Sequence, residues 1–413
     1  MSEPAPSIAA ALATMFERLE PTEVVTSALE GALGLTLADD VRAEVDLPLW
    51  NNAAMDGYAC IGEDIAGADA NTPVRLPVIG TVTAGSFSDR PVSRGEAVRI
   101  MTGAPVPPGA DSVVRVEDTD AGAREVSIRS SRDAGGNIRC RGEDVRAGDQ
   151  IVGAGTRLRA SERARLAAAG HPNARVHRPP RVGVLSCGDE LVPVSQAQEL
   201  LAGRRVISAN SYSLAAIVKE AGGEPIDLGI VPDRLDALVE ALGKVAECDL
   251  VVTSGGISVG GFDLVRAAIE KAGGVIHFWR VPMRPGYNSA FGEVHGKPWL
   301  GVPGNAVSAL VAGEVLLRPA IRRLCGAAGA LRVRARVAAA ERMNRAKDTL
   351  FLRAMLDRTA TGLPRARLAG SQGSAILSTS VKADALIEIR PGSEPVEPGE
   401  EVDAIVLRDE AGI

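Results

Sequence analysis

Alternation between short β-branched runs and helix-like runs, from Arg181 to about residue 326, is the feature that most constrains this chain. RVGVLSCG is followed by NSYSLAAIVKEAGG, EPIDLGIVP by DRLDALVEALGKVA, and DLVVTSGG by FDLVRAAIEKAGG. Such alternation predicts a parallel sheet with helices on both faces, which is a three-layer α/β module. Ligands bind outside the carboxyl ends of parallel strands, so the loops after these strands are the first candidates for a site.

The segments on either side have a different pattern. Apolar residues at three- and four-residue spacing predict helical structure over about residues 7–37, and SERARLAAAG predicts a helix with Ser161 as its N-cap. Between them, short β-like runs separated by Gly, Pro and Asp continue to about residue 147 and predict an all-β module. The short strands after Cys325 predict a small, separate β-barrel at the carboxyl end.

The composition excludes several classes of protein. A chain of 413 residues exceeds what one core usually serves, and 46% hydrophobic residues are enough for several cores. The net charge of −6 provides no basic field for nucleic acid or for an anionic membrane surface. No signal peptide is apparent, and no apolar run approaches the roughly 18 residues of a membrane span. Five cysteines without a C-x-x-C pair argue against a disulfide framework or a zinc site. We therefore expect a cytoplasmic, multidomain protein.

The loop TSGGISVGGFD, residues 253–263, follows a predicted strand and precedes a predicted helix. Glycines allow close approach, and consecutive backbone amides before a helix favour an anion such as phosphate. The candidate phosphate ligands are Ser254, Gly255, Gly256, Ser258 and Gly260. The loop matches neither G-x-G-x-x-G nor G-x-x-x-x-G-K-[ST], and a purely structural turn is about as frequent an explanation for such a loop.

Acidic residues follow three of the predicted strands. Glu190 lies in SCGDEL with Asp189 before it, Asp233 lies in GIVPD, and Asp263 closes the glycine loop. Taken singly, each is more typical of a helix cap or a turn. Together they predict three carboxylates at one rim, and such a cluster requires a divalent cation. Oxygen ligands that share the ion with substrate phosphates favour Mg²⁺.

Basic residues follow in FWRVPMRPGYNSAFG. Arg280 and Arg284 flank an extended segment and are candidate ligands for an oxyanion, although isolated arginines are usually solvated surface residues. The turn formed by Pro303, Gly304 and Asn305 then opens a predicted helix. It is either a second anion-binding helix start or only a cap.

Seven motifs in this order resemble the molybdopterin molybdenumtransferases, the MoeA family that includes the gephyrin E domain. They are NNAAMDGYA, RIMTGAPVPPGADSVVRVED, NIRCRGEDV, GVLSCGDEL, GISVGGFD, PGYNSAFG and GVPGNAVSAL. The resemblance implies an elongated homodimer with four domains per subunit. These are an elongated helix-containing linker domain (1–45 and 147–180), an inserted β domain (46–146), a MogA-like α/β domain (181–326) and a C-terminal β-barrel (327–413).

The resemblance also implies an activity. Members of the family cleave adenylylated molybdopterin with Mg²⁺, release AMP and insert molybdate into the dithiolene, which forms molybdenum cofactor. The partners it implies are adenylylated molybdopterin, molybdate, a second subunit, the adenylyltransferase and the recipient molybdoenzymes. Neither nucleic acid nor a membrane is expected as a partner.

Matching the motifs residue by residue carries the family's roles onto this chain. The resemblance implies Mg²⁺ ligands at Glu190, Asp233 and Asp263, and ligands from the last domain at Arg353 and Ser374. We expect a catalytic set of Asp56, Thr102, Asp144, Glu190, Arg280 and Arg284, in a cleft shared across the dimer. Met-Asp-Gly around Asp56 is also a common turn. We hypothesise that Mg²⁺ polarises the phosphoanhydride while the two arginines offset its charge.

Two departures from the family pattern affect the anion site. Where the family has W-K-x-x-x-K-P-G-K-P, this chain has Arg280, Arg284 and then Tyr287-Asn288, and Ala306 replaces the proline of the P-G-N-P turn. A noncatalytic or altered-specificity pterin-binding paralogue is therefore an alternative. The related molybdopterin adenylyltransferase is another, but its Gly-Gly-Thr-Gly loop is replaced here by Gly255-Gly256-Ile257-Ser258.

Overall fold

The computed structural model describes residues 5–256, 264–328, 334–357, 362–392 and 394–407. Its α-helices within these ranges are short, and a π-helical turn at Gly313–Leu317 joins the seventh to the eighth. The α-helices are Ile8–Phe16, Ala160–Ala168, Ala197–Leu201, Ala209–Ala221, Leu235–Leu242, Leu264–Lys271, Ala306–Ala312, Arg318–Leu324 and Leu377–Lys382. Single 3₁₀ turns occur at Gly62–Ile65, Val116–Asp118 and Val194–Gln196.

A six-stranded sheet with helices on both faces forms the α/β module. Four neighbouring strands are parallel, and the strand Ala290–Val294 runs antiparallel to the strands on both its sides. Val251 packs in the cluster under the helices Leu235–Leu242 and Leu264–Lys271, whereas its neighbour Val252 packs on the opposite face with the helix Ala209–Ala221. In spatial order, the strands are Glu224–Val231, Arg181–Cys187, Leu250–Ser254, Lys297–Val302, Ala290–Val294 and Val275–Trp279. The predicted parallel-rich three-layer module is confirmed.

The inserted β module contains a five-stranded sheet and a two-stranded ribbon. Its core is built from alternating residues such as Val126 and Ile128, which are fully buried. In spatial order, the sheet comprises Ser112–Arg115, Gly57–Cys60, Ala97–Ile100, Val74–Val82 and Glu125–Ile128, and the ribbon pairs Asn52–Ala53 with Ile138–Arg139. The predicted all-β insertion is confirmed.

The predicted helix over residues 7–37 is wrong beyond Phe16. Val24–Ala28 is a strand, because it pairs along its whole length with the strand Asn173–His177 from much later in the chain. The strand Thr36–Leu37 completes this three-stranded sheet, and Val41–Arg42 pairs with Gln150–Val152 nearby. Local apolar spacing could not reveal a partner about 150 residues away.

The predicted N-cap at Ser161 is also wrong. The helix begins at Ala160, so Ser161 lies inside its first turn, and Arg159 occupies the N-cap position. The Arg159 backbone amide donates to the Glu162 side chain at 2.9 Å, and this bond closes the first turn. A glutamate three residues into the helix therefore supplies the start signal.

The carboxyl-terminal strands form a closed barrel of five strands. It closes because Thr349–Asp357 pairs with both Arg365–Leu368 and Ala385–Ile389. The remaining barrel strands are Arg334–Ala339 and Glu401–Val406. The short strand Met283–Arg284 of the α/β module adds in parallel to Thr349–Asp357, so the two modules share one sheet. The predicted barrel is confirmed, whereas the predicted residue limits of the four domains stay a prediction.

Candidate functional site

A cavity of about 550 Å³ lies at the carboxyl end of the parallel strands. We call it the acidic cavity, because Glu190 and Asp233 both line it. Glu190 follows the strand Arg181–Cys187, and the short strand pair Leu191–Val192 and Val206–Ile207 forms the adjacent wall. Two of the three carboxylates predicted for one rim are therefore together, and the third, Asp263, lies outside the described residues.

Asp233 is open to the cavity, yet its wall partly desolvates the carboxylate. This desolvation, followed by repulsion from Asp189, raises the pKa of Asp233 above its ordinary value. The Asp233 backbone amide donates to Asp189 Oδ1 at 3.1 Å, which holds the two loops together. Glu190 and Asp233 make no ion pair with any cation of the described residues. Their negative charge is thus left for a ligand.

These carboxylates fit a hard divalent cation. Mg²⁺ in phosphate-handling sites is typically held by one or two carboxylates, with substrate phosphates and water completing the shell. Glu190 and Asp233 supply that number. No three His, Cys, Asp or Glu side chains in the described ranges come close enough to enclose an ion by themselves. Cys187 lines the same cavity, but burial raises the pKa of its thiol to about 12, so it is a neutral wall.

The glycine loop departs from its predicted role at Gly255. Its backbone amide donates to the Val302 carbonyl at 3.2 Å, which makes it part of the sheet and not a phosphate donor. Gly255 has φ +88°, and a Cβ there would come within 2.4 Å of the Cys187 carbonyl oxygen. This glycine is required because the chain approaches its own neighbouring strand. Gly256 lines the cavity, whereas Ser258 and Gly260 lie outside the described residues.

Asn210 is a buried residue of the acidic cavity that the sequence prediction missed. Its Nδ2 donates to Ser254 Oγ at 2.6 Å and to the Gly304 carbonyl at 2.8 Å. Ser254 is thus held by the protein, and the loop after one strand is joined to the turn after the next. A polar residue on the inward face of the predicted helix NSYSLAAIVKEAGG was the available signal.

A second cavity, of about 640 Å³, lies between the α/β module and the barrel. We call it the cationic cavity. It shares Asn288, Pro303 and Asn305 with the acidic cavity, so the two are adjoining parts of one cleft. Asn305 occupies the N-cap position of the helix Ala306–Ala312 without capping it, and its Nδ2 lies 3.5 Å from Ser374 Oγ. The cationic cavity is lined by Arg284, Tyr287, Asn288, Asn305, Gln372 and Ser374, among others.

The two predicted arginines lie in different surroundings, and only Arg284 lines this cavity. Arg284 is two-thirds exposed, and its Nε donates to the buried Asp348 Oδ2 at 2.6 Å. Arg280 is half-buried with a left-handed backbone at φ +82°, and its Nε has no hydrogen-bond partner among the described residues. Each guanidinium lies about 6 Å from the ring of Tyr287, at 6.0 and 5.9 Å from its centroid.

Arg353, a predicted substrate ligand, is only 1% exposed and lines neither the acidic nor the cationic cavity. Its guanidinium donates to Thr379 Oγ1 at 2.7 Å and to the carbonyls of Ser371 and Gly373. Burial lowers the pKa of Arg353. In this structure Arg353 positions the loop that carries Ser374, and Ser374 itself faces the cationic cavity.

Asp56, Thr102 and Asp144 lie in the inserted β module or at its border and line neither cavity of the single chain. Asp56 Oδ1 accepts from both the backbone amide and the hydroxyl of Thr102, each at 2.7 Å, and these bonds lower its pKa. Asp144 is exposed, with Arg165 3.9 Å away. The structure brings Asp56 and Thr102 together, and a cleft shared between subunits stays a prediction.

Three family models match successive parts of the chain. Residues 6–170 match the MoeA N-terminal region, residues 183–323 a probable molybdopterin binding domain and residues 336–407 the MoeA C-terminal region. A molybdopterin molybdenumtransferase of Nostoc sp. is 39% identical over 321 residues, which cover 77% of this chain and 72% of the relative. One of Bacillus subtilis is 32% identical over 406 residues, covering 96% and 92%.

Solved structures give the same result. Two structures of a molybdopterin biosynthesis MoeA protein from Pyrococcus horikoshii each cover 98% of this chain and are covered completely. Their TM-scores are 0.82 and 0.78, at 27% and 29% identity respectively. In the part of the chain that the structure describes, no helix has the length and apolar character needed to cross a membrane. From the matched models, relatives and structures, the chain belongs to the MoeA family, the molybdopterin molybdenumtransferases.

Proposed function

We propose that this chain is a molybdopterin molybdenumtransferase of molybdenum cofactor biosynthesis. It cleaves adenylylated molybdopterin, releases AMP and inserts molybdate into the pterin dithiolene. The observation that carries this proposal is the continuity of the acidic and cationic cavities through Asn288, Pro303 and Asn305. In this cleft the phosphates of the adenylylated pterin would face the carboxylates, and molybdate would face the guanidiniums beside them.

In this proposal the acidic cavity binds the phosphoanhydride. Glu190 and Asp233 would hold Mg²⁺, with Asp263 as the proposed third ligand, and the ion would neutralise charge on the phosphates. Asn210 keeps Ser254 and Gly304 in place at the cavity wall. Gly256, Ser258 and Gly260 remain proposed substrate contacts.

The cationic cavity binds molybdate in the same proposal. Arg284 presents an exposed guanidinium at the wall, and Asn305 and Ser374 add neutral donors from the two modules. A guanidinium forks onto an oxyanion through two parallel hydrogen bonds. Arg280 adds positive charge beside Tyr287. The site therefore assembles only when the α/β module and the barrel are correctly docked.

We also propose a cytoplasmic homodimer, in which Asp56, Thr102 and Asp144 reach the cleft of the partner subunit. The support is their position, because they line neither cavity of their own chain. Asp56 stays ionised through two hydrogen bonds from Thr102, as a group that binds or orients substrate at neutral pH should. The adenylyltransferase is the proposed supplier of the substrate, and molybdoenzymes are the proposed recipients of the product.

The deciding experiment incubates the purified protein with adenylylated molybdopterin, molybdate and Mg²⁺ and measures AMP. We expect AMP release together with a product that activates a molybdenum-free recipient enzyme. Binding of the pterin without turnover would instead indicate a carrier. Consumption of ATP with free molybdopterin would indicate an adenylyltransferase. The Glu190→Gln variant should lose AMP release, whereas Glu240→Gln, on the exposed face of Leu235–Leu242, should retain it.

A further inference from the structure

Tyr287 lies beside Arg284, which lines the cationic cavity, and beside the half-buried Arg280. The Arg280 Cζ atom is 6.0 Å and the Arg284 Cζ atom 5.9 Å from the centroid of its ring. Both distances are within the range at which a cation is attracted to the face of an aromatic ring. Tyr287 also lines the cavity itself. One aromatic side chain therefore lies within cation–π range of the two cationic groups proposed to bind the oxyanion.

Hydrogen bonds within residues 280–289 fix the loop that carries this ring. The Val281 amide donates to the Tyr287 carbonyl at 3.0 Å, and the Arg280 amide donates to the Ser289 carbonyl at 2.8 Å. These bonds close residues 280–289 into a compact loop, and Ser289 Oγ donates to the Gly286 carbonyl at 2.8 Å within it. The loop conformation thus determines where the ring lies.

The arginines have few other restraints. Arg284 has one anchor, the bond from its Nε to Asp348 Oδ2, and the rest of its side chain is exposed. For Arg280, the buried Nε has no hydrogen-bond partner among the described residues. Like charges repel, so a third cation at position 287 would disfavour both guanidiniums. An aromatic face attracts both.

We propose that Tyr287 is a positioning residue that holds the Arg280 and Arg284 guanidiniums ready for a tetrahedral oxyanion. Preorganisation of this kind raises affinity because the side chains need not be ordered when the anion binds. The ring acts through the arginines and makes no required contact with the anion. This inference rests on the proposed function, since molybdate is the oxyanion that the site would take.

The test measures steady-state AMP release while molybdate and adenylylated molybdopterin are varied separately. We expect Tyr287→Leu to raise the KM for molybdate roughly 5- to 30-fold, the loss of two cation–π contacts. The kcat and the KM for the adenylylated pterin should change less than about two-fold, because the acidic cavity is untouched. Tyr287→Phe keeps the ring and should restore the wild-type KM for molybdate.

A double-mutant cycle separates positioning from a direct contact. In an Arg280→Met/Arg284→Met background, Tyr287→Leu should have no further effect on the KM for molybdate, because the groups it positions are gone. Tyr212→Leu is the matched control, since Tyr212 lies on the helix Ala209–Ala221 and lines neither cavity. Tyr287→Met also removes the ring but keeps most of the side-chain volume. If either variant unfolds at a lower temperature than the wild type, the other must still show the same rise in the KM for molybdate.

The possible outcomes distinguish failure of the positioning role of Tyr287 from failure of the transferase function. A wild-type KM for molybdate in both Tyr287→Leu and Tyr287→Met would overturn the positioning role, and AMP release by those variants would leave the transferase function standing. A full additional loss from Tyr287→Leu in the double-arginine background would also overturn it, because the phenol would then contact the anion itself. A wild-type protein that releases no AMP would overturn the transferase function and this inference together.

Discussion

The two ends of the parallel sheet carry carboxylates in opposite situations. At the amino end, Asp249 accepts two hydrogen bonds from Arg178, at 2.6 and 2.8 Å, and one from the Arg181 amide at 2.7 Å. At the carboxyl end, Glu190 and Asp233 face a cavity without a cation among the described residues. Burial raises the pKa at both Asp249 and Asp233, but at Asp249 the hydrogen bonds from Arg178 and the Arg181 amide, together with nearby positive charge, outweigh it and the net shift is downward.

Within the α/β module, the carboxylate at the amino end of the sheet therefore contributes to stability, and the carboxylates at the carboxyl end are available for function. A buried carboxylate whose charge is fully compensated ties elements together, and Arg178 also bridges to Glu23 of the amino-terminal segment at 2.9 Å. Uncompensated carboxylates destabilise the fold slightly and persist where a ligand supplies the missing charge. Substitutions at the two ends should therefore affect different measurements.

The largest expected effect is on activity at the carboxyl end. Glu190→Gln should lower kcat for AMP release by more than about 100-fold, since even outer partners of metal ligands contribute about 10- to 100-fold. Thermal stability should stay the same or rise, because the substitution removes a like charge beside Asp233. Titration of activity with Mg²⁺ checks the cause, as a lost ligand raises the concentration required. An unchanged Mg²⁺ requirement would contradict the assignment.

The amino end should show the reverse. Asp249→Asn should cost about 3 kcal/mol of unfolding free energy, because the partly buried Arg178 loses its carboxylate partner Asp249 and keeps, among the described residues, a single carboxylate partner in Glu23. The lowered pKa of Asp249 means that this stability is present above the unfolded value near 3.9 and is lost as pH falls through the folded value. Urea unfolding at pH 7 and pH 3 should show a difference between wild type and variant that shrinks in acid.

The control for that measurement is Glu247→Gln, which removes an exposed ion pair with Arg181 at the same end of the sheet. It should cost less than about 0.5 kcal/mol. Molybdate-dependent AMP release should remain normal in both variants at temperatures where they stay folded. A loss of activity in folded Asp249→Asn would mean that a substitution at the amino end of the sheet also affects the site at its carboxyl end.

Arg353 is a buried cation of the barrel and lies at neither end of the parallel sheet. Its substitution tests whether stability and activity depend on different residues in the barrel as well. Arg353→Met should cost about 2 to 3 kcal/mol, because the Ser371 and Gly373 carbonyls lose a buried donor. The freed loop should also raise the KM for molybdate through Ser374. Arg367→Met, an exposed position in the neighbouring strand, is the matched control. A normal KM for molybdate would show that Ser374 does not depend on Arg353.

The smallest expected effect concerns Asn210, a neutral residue of the acidic cavity. Asn210→Ala should cost about 1 to 2 kcal/mol, since Ser254 Oγ and the Gly304 carbonyl lose their shared donor. Asn210→Asp keeps the shape but removes the donor, so it should be at least as destabilising. Thermal unfolding of both variants checks this, and equal stability of wild type and Asn210→Asp would refute the bridging role.

Local features of the chain predicted the parallel sheet, the β insertion, the barrel and the shared position of Glu190 and Asp233. These follow from short-range patterns, because strands that alternate with helices place their following loops at one edge. Two of the predictions that failed involve contacts distant in the chain, whereas the wrong N-cap at Ser161 was a local error. Val24–Ala28 is a strand only through its pairing with Asn173–His177, and the Gly255 amide is occupied only because Val302 lies beside it.

The amino-acid sequence alone determined the family, the order of the modules and the residue types available for chemistry. Tertiary structure alone decided which of those residues face the same space. In the folded chain Arg353 is buried and donates to backbone carbonyls, Arg284 is exposed, and the ring of Tyr287 lies beside two guanidiniums. The physical reason is that a side chain's solvation and charge partners come from segments that meet only on folding, and local patterns carry no record of them.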